Sequence, residues 1–463
     1  MYTFIITEII AWVSGAVAFI VFLEHFIKRK PVHTFFKRKW VWIPLLVMVL
    51  SILLGMFSNK TYSPMFAMPP FMHSMAPGGV PPVLPLANVI NFFRNESRFE
   101  KVADIGRDPN DVPAPITRTS SEEVKINVTV KEVMAEVFPG IYFNYWTFDG
   151  TVPGPMYRVR EGDTVILTIT NHESSLHAHN IDLHSVTGQG GGASLTNVEP
   201  GETKTIKWKA LNQGLFIYHC AMANVSTHNS HGQYGLILVE PKEGLSKVDK
   251  EFYVVQGELY TMGEIGKKGL TVFDSNALID GHANYVTFNG KIETSPRMQA
   301  KVGDKIRIYV GNGGVNLISS FHVIGEIFDK VYPEGSLGEG SAIHKNVQTT
   351  AVLPGGSSIV EFTVDVPGKY LLVDHALARM NMGAWAVLDV VGDKNPDIYS
   401  QVPNDYKINS TSKDVSQQEI QVTPEIHTKG IESIKASVKP VIALVAPGPE
   451  VTMIVPTFPV ERA

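Results

Sequence analysis

A chain of 463 residues, 44% of them hydrophobic, can bury more than one core, so two or three domains are expected rather than one. Its formal net charge of −5, with a single dense basic run near the N-terminus, argues against nucleic acid as a partner. One cysteine, Cys220, excludes an intramolecular disulfide, and its role has to be read from its neighbours.

Residues 3–23 and 40–57 are apolar runs near the roughly 20 residues that cross a bilayer as helix. Between them stand Lys28, Arg29, Lys30, Lys37, Arg38 and Lys39, which the positive-inside rule assigns to the cytoplasm. The segment 1–58 therefore reads as a transmembrane helical hairpin in the inner membrane, with everything after residue 58 on the periplasmic side. No basic n-region precedes the first run and no small-residue cleavage site follows it, so an uncleaved anchor is expected rather than a signal peptide. Glu8, near the outer end of the first run, is expected to reach the interface. Residues 59–119 carry a Pro- and Met-rich stretch unsuited to helix or central strand, and read as a linker. Its Met65, Met68, Met72, Met75 and His73 are soft donors that suit Cu(I), although packing near the membrane is the simpler account.

From residue 120 the pattern changes to short alternating strands such as YRVREGDTVILTIT and GLFIYHC, separated by turn residues. The pattern then repeats. REGDTVILTITN is answered by KVGDKIRIYVGN, and VEPGETKTIKWKALNQGLFIYHC by VLPGGSSIVEFTVDVPGKYLLVDHA. The expected fold is all-β: two tandem Greek-key β-sandwich domains over 120–243 and 250–395, preceded by the two transmembrane helices. Residues 396–463 have no clear period and read as a C-terminal extension.

Cys220 lies in a sequence cluster of histidines: His177, His179 and His184 upstream, His219 and His228 around it. One thiolate with two imidazoles is the ligand set of a blue-copper electron-transfer site. His179, Cys220 and His228 supply it here. Gln233 stands where such loops place an axial methionine, and an oxygen donor there favours Cu(II), which predicts a lowered potential. His231 is a competing axial donor.

Side chains alternate along a strand, so if Cys220 turns into the sandwich, His219 turns out. On the same parity Asp182 and His184 join His219 on the outer side, which implies a second metal linked through the His219–Cys220 peptide to the first. Two imidazoles leave that metal short of the three protein ligands usual for an open site. The second domain has no cysteine but keeps His322 and His375. His375 is the candidate third ligand, supplied by a neighbouring subunit across a head-to-tail interface that closes into a ring.

Over about residues 120–400 the chain resembles the copper-containing nitrite reductases, two-domain cupredoxin enzymes, in motifs such as HNIDLH, TGQGGGA, GLFIYHC, YGLILVEP and SSFHVIGEIFDK. The resemblance implies one type 1 copper per subunit at His179, Cys220 and His228, with Gln233 in place of the family's methionine. It implies one type 2 copper at His184, His219 and the neighbouring subunit's His375, in a homotrimer. Asp182 and His322 would be the catalytic acid–base pair, Ile324 the steric wall beside nitrite, and Thr350 a partner of His322. The implied reaction is dissimilatory: one-electron reduction of nitrite to nitric oxide and water, as in denitrification, with the electron passing from type 1 to type 2 copper. It needs an external donor, a small cupredoxin or a c-type cytochrome, since no Cys-x-x-Cys-His haem motif occurs in the chain. Two other readings remain open: a two-domain multicopper oxidase, for which His177-Ala178-His179 offers one His-x-His pair, and a copper electron carrier without catalysis.

Overall fold

The computed structural model describes residues 2–28, 39–58, 94, 96–222, 225–292 and 298–407. The Met-rich stretch with His73, most of the basic run and the extension beyond residue 407 lie outside them.

Helix α1 spans Tyr2–Ile27 and helix α2 Lys39–Ser58, so both apolar runs are helical. Within α1, Ile9–Ile27 is long and apolar enough to cross a membrane; the apolar stretch of α2, Val41–Leu53, is shorter. Ala11, Gly15 and Ala18 share one face of α1, and a Cβ on Gly15 would come within 3.2 Å of Met48 Sδ. Small residues thus let the two helices approach closely, as membrane helices do. Trp12, Phe19, Ile20 and Phe26 are exposed on the outside of the pair.

The remaining described residues are mostly β. In the first half a six-stranded sheet has Glu123–Phe138 at its centre, flanked by Ile141–Phe148 and Thr164–Asn171. It shares a core with a four-stranded sheet ordered Tyr157–Arg160, Tyr234–Glu240, Gly214–His219, Asp182–Leu183. The second half has two five-stranded sheets, one built on Lys250–Leu259 and Lys305–Asn312, the other on Ser319–Ile324 and Gly368–Asp374. Parallel and antiparallel pairs mix in these sheets, as crossovers between two sheets require.

Two features depart from a tether followed by two separate sandwiches. Glu100–Lys101 pairs in parallel with Val133–Met134, and Ile105 is fully buried, so the end of the linker belongs to the first half. The prolines that made it read as a tether lie before residue 86; the later stretch carries apolar residues that can pack. Gly269–Leu270, from the second half, pairs with Ile141–Tyr142 of the first.

The halves also share a core. Tyr145, Leu215, Tyr234 and Leu236 pack with Tyr253, Tyr309 and Ile359. Gly257 is required there, because a Cβ on it would lie 1.8 Å from Tyr234 Oη. A chain of buried charges crosses the same boundary. Arg158 donates to Glu240 at 2.6 Å and Glu251 at 2.7 Å, while Arg307 donates to Glu251 at 2.8 Å and Glu361 at 2.8 Å. Arg158→Ala would leave Glu240 and Glu251 buried and undercompensated, a change that costs about 3–5 kcal/mol. Thermal unfolding should show the β region melting at a clearly lower temperature; an unchanged midpoint would show that water replaces the guanidinium freely.

Candidate metal centres

Cys220 follows the strand Gly214–His219 directly, and its N–H donates to the Gln233 carbonyl at 3.2 Å. Alternation turns its sulfur into the first-half core, where it is fully buried. His228 comes from the short helix Val225–Ser230, and His179 from a bridge to Val198 just before the strand Asp182–Leu183. Their Nδ1 atoms lie 3.2 Å apart, and Cys220 Sγ lies 3.3 Å from His228 Nδ1 and 4.0 Å from His179 Nδ1. Two nitrogens at about 2.0 Å from one ion and a tetrahedral angle would be roughly 3.3 Å apart. The donor set therefore has the spacing of a metal site.

Its electrostatics also fit a metal. Burial pushes the Cys220 thiol up to about 12, so a thiolate here requires a cation beside it. Burial holds both His179 and His228 below the ordinary imidazole range, keeping them neutral and able to donate a lone pair. Gln233 is fully buried, its Oε1 3.1 Å from His228 Nδ1 and its Nε2 without a hydrogen-bond partner. The amide oxygen thus faces the same space as the three donors.

His231 is turned elsewhere. Its ring stacks on Trp146 at 4.2 Å and on Phe143 at 5.1 Å, and its Nδ1–H donates to the Thr227 carbonyl at 2.7 Å. His177 also leaves the metal space: it lies over Trp146 at 4.4 Å, and its Nδ1 is 3.0 Å from Glu132. Three residues around this site were missed in the sequence: Trp146, edge-on to His228 at 4.6 Å, Asn180, whose N–H approaches Cys220 Sγ at 3.5 Å, and Glu132. Glu132 carried a signal. It follows Ile126, Val128 and Val130 on the inward parity of its strand, where a charge demands an explanation.

On the outer side, Asp182 pairs directly with His219 across antiparallel strands, and His184 follows. The Nε2 atoms of His184 and His219 are 3.1 Å apart, and the three side chains present ligand atoms within 4.8 Å of one another. His219 Nδ1–H donates to the Cys220 carbonyl at 2.9 Å, which leaves Nε2 as the lone-pair atom. Burial raises the Asp182 carboxyl above its usual range, opposed by the charge of His184. The glycine run explains its room: a Cβ on Gly191, at φ +54°, would sit 1.9 Å from Asp182 Oδ1.

His322 lies on the strand Ser319–Ile324 and His375 directly follows the adjacent strand Gly368–Asp374, ring centroids 5.2 Å apart. Neither joins the Asp182–His184–His219 group within one chain. His322 Nδ1–H donates to the Gln348 carbonyl at 2.5 Å. Ile324, two residues on, shares the face of His322 and is exposed. Thr350 does not partner His322. The register sets Thr349 opposite His322 and Thr350 opposite Phe321, so the Thr350 side chain leaves the sheet on the other, buried face.

Comparison with known proteins follows these groups. The multicopper oxidase family matches residues 129–244. The copper-containing nitrite reductase of Neisseria meningitidis serogroup A is 52% identical over 299 residues, covering 64% of this chain and 76% of that protein. That of Neorhizobium galegae is 33% identical over 302 residues, covering 60% and 78%. Among solved structures, the copper nitrite reductase of Nitrosomonas europaea superposes with a TM-score of 0.52 at 32% identity, covering 59% of this chain and 96% of that one.

If each group holds one copper, Cys220→Ser should abolish the thiolate-to-Cu(II) absorption in the visible and lower bound copper by about half, the histidine face retaining its own ion. Metal analysis and the spectrum of one preparation check both; full loss of copper would merge the two sites into one.

Proposed function

The chain belongs to the copper-containing nitrite reductases, and from that premise we propose that His179, Cys220, His228 and Gln233 hold a type 1 copper while His184 and His219 hold a type 2 copper. The observation that carries this reading is the His219–Cys220 peptide, which points a thiol into one donor group and an imidazole into the other. Copper would supply a one-electron relay at the first group and a Lewis acid for nitrite oxygen at the second. Reduction of nitrite to nitric oxide and water takes one electron and two protons. Asp182, raised by burial and beside His184 and His219, is the group to hold a proton at the substrate. His322, with Nδ1–H committed to Gln348, exchanges its proton at Nε2.

His375 lies apart from His184 and His219 in its own chain. In this reading it completes the site of a neighbouring subunit in a homotrimer, which also brings His322 and Ile324 to the substrate. The exposed aromatic and aliphatic residues of α1 support a membrane anchor; in this reading that membrane is the inner one, the β region is periplasmic, and an external cupredoxin or cytochrome supplies electrons for denitrification. Against a trinuclear oxidase, His177 of the His-x-His pair is committed to Glu132 and Trp146.

Electron paramagnetic resonance of the copper-loaded protein tests the assignment. Two Cu(II) signals are expected, one of small and one of large hyperfine splitting, with nitrite moving only the latter; a single signal indifferent to nitrite would leave an electron carrier. Asp182→Asn should keep both signals and lose about 10²–10⁴-fold in turnover; a rate close to wild type would remove Asp182 from the proton path. Mixing chains that carry His219→Ala with chains that carry His375→Ala should restore activity that neither has alone. Failure to complement would place His375 outside a shared site.

A further inference from the structure

One buried charge lies against a ligand of the Cys220 group and has no part in the proposed function. Glu132 is fully buried, and its Oε1 accepts hydrogen bonds from the backbone N–H groups of Leu176 and His177, each at 2.9 Å. The same oxygen lies 3.3 Å from His179 Nε2, while Oε2 has no partner.

The second half shows which part of this is ordinary architecture. There Glu258, also on the first long strand and also buried, accepts from the N–H groups of Asn316 at 3.1 Å and Leu317 at 2.8 Å. The loops correspond: Asn171 donates to the carbonyls of His177 and Val198, and Asn312 to those of Leu317 and Val352. A buried glutamate capping this loop is therefore a fixture of the repeated fold and needs no metal. Contacts with two imidazoles, His177 at the rim at 3.0 Å and His179 in the interior, are what the first half adds.

We infer that Glu132 is a positioning residue for the copper-ligating imidazole of His179 and sets the reduction potential of the Cys220 site. The hydrogen bond from Nε2–H fixes the tautomer, leaving the Nδ1 lone pair toward Cys220 and His228. A carboxylate behind a ligand makes the imidazole a stronger donor and places negative charge near the ion, both of which favour Cu(II) over Cu(I). Glu132 thus lowers the potential in the same direction as the amide oxygen of Gln233. The inference rests on the assignment of His179, Cys220 and His228 as copper ligands.

The test is a mediated redox titration of the full-length copper-loaded protein, followed through its thiolate absorption. Glu132→Gln keeps an acceptor for Leu176, His177 and His179 but removes the charge, and its midpoint should rise with the absorption band retained. Where that variant fails to fold, His177→Lys answers the same question from a site that is 45% exposed: a cation beside the carboxylate offsets its charge and should also raise the midpoint. An unchanged midpoint in either variant with an intact band would overturn the role of Glu132 alone. An equal rise in Glu258→Gln would make the effect a general consequence of loosening the loop and would overturn it too. Absence of any thiolate absorption in the wild-type protein would instead overturn the ligand assignment.

Discussion

Everything at the two donor groups depends on one peptide bond. Strand geometry sends successive side chains to opposite faces, and the bond between His219 and Cys220 spans the wall of the first sandwich. Inside, a sulfur meets two neutral imidazoles in a fully buried space; outside, an imidazole meets His184 and Asp182 near the surface. On the proposed assignment the first group would be a buried relay and the second an accessible substrate site, which are opposite requirements. Alternation satisfies both with adjacent residues.

Holding that arrangement takes more than the strand. Cys220 has a high thiol pKa in its apolar surroundings, so the pocket favours a bound cation over a free proton only when both imidazoles and Gln233 converge on it. That convergence joins a loop before Asp182 to a segment 49 residues on, where the six-residue helix carrying His228 and the residue just before the strand Tyr234–Glu240 lie close together in sequence. The glycine run serves the outer face in the same way, since any side chain at Gly191 would occupy the space of the Asp182 carboxylate. The shared core and the Arg158–Glu251–Arg307 chain then make the two halves one rigid frame. His184 shows the consequence: its ring bonds to the backbone of Gly355, from the other half.

Much of this was legible in the sequence because it is local. The opposite facing of His219 and Cys220, the shared outward side of Asp182, His184 and His219, and the repeat of the two sandwiches all follow from period and spacing. What escaped depends on register between distant strands. The resemblance made Thr350 a partner of His322, yet a shift of one residue in pairing turns it to the opposite face. The contact of Glu132 with His179 joins positions 47 residues apart, and only an acidic residue on an apolar parity hinted at it. The burial of Ile105 was hidden by the prolines upstream, which describe the start of the linker and not its end.

The duplication shows how little separates a metal domain from a structural one. Both halves keep the buried glutamate, the loop asparagine and an outward histidine pair in or directly after adjacent strands, with ring centroids 5.0 Å apart in the first half and 5.2 Å in the second. The segment IYHC becomes VDHA, so Ala376 stands where the sequence repeat would set a thiol. The interior of the second half is filled by aromatics instead, Phe321 stacking on Phe328 at 6.2 Å and Phe362 packing beside them. Its outward face is free of that change, because inward and outward positions alternate along a strand. One copy can therefore lose its internal donor group and still present histidines at its surface. A duplicated sandwich then presents two kinds of donor group from one pattern: a buried one where the cysteine is kept, and surface histidines on each copy.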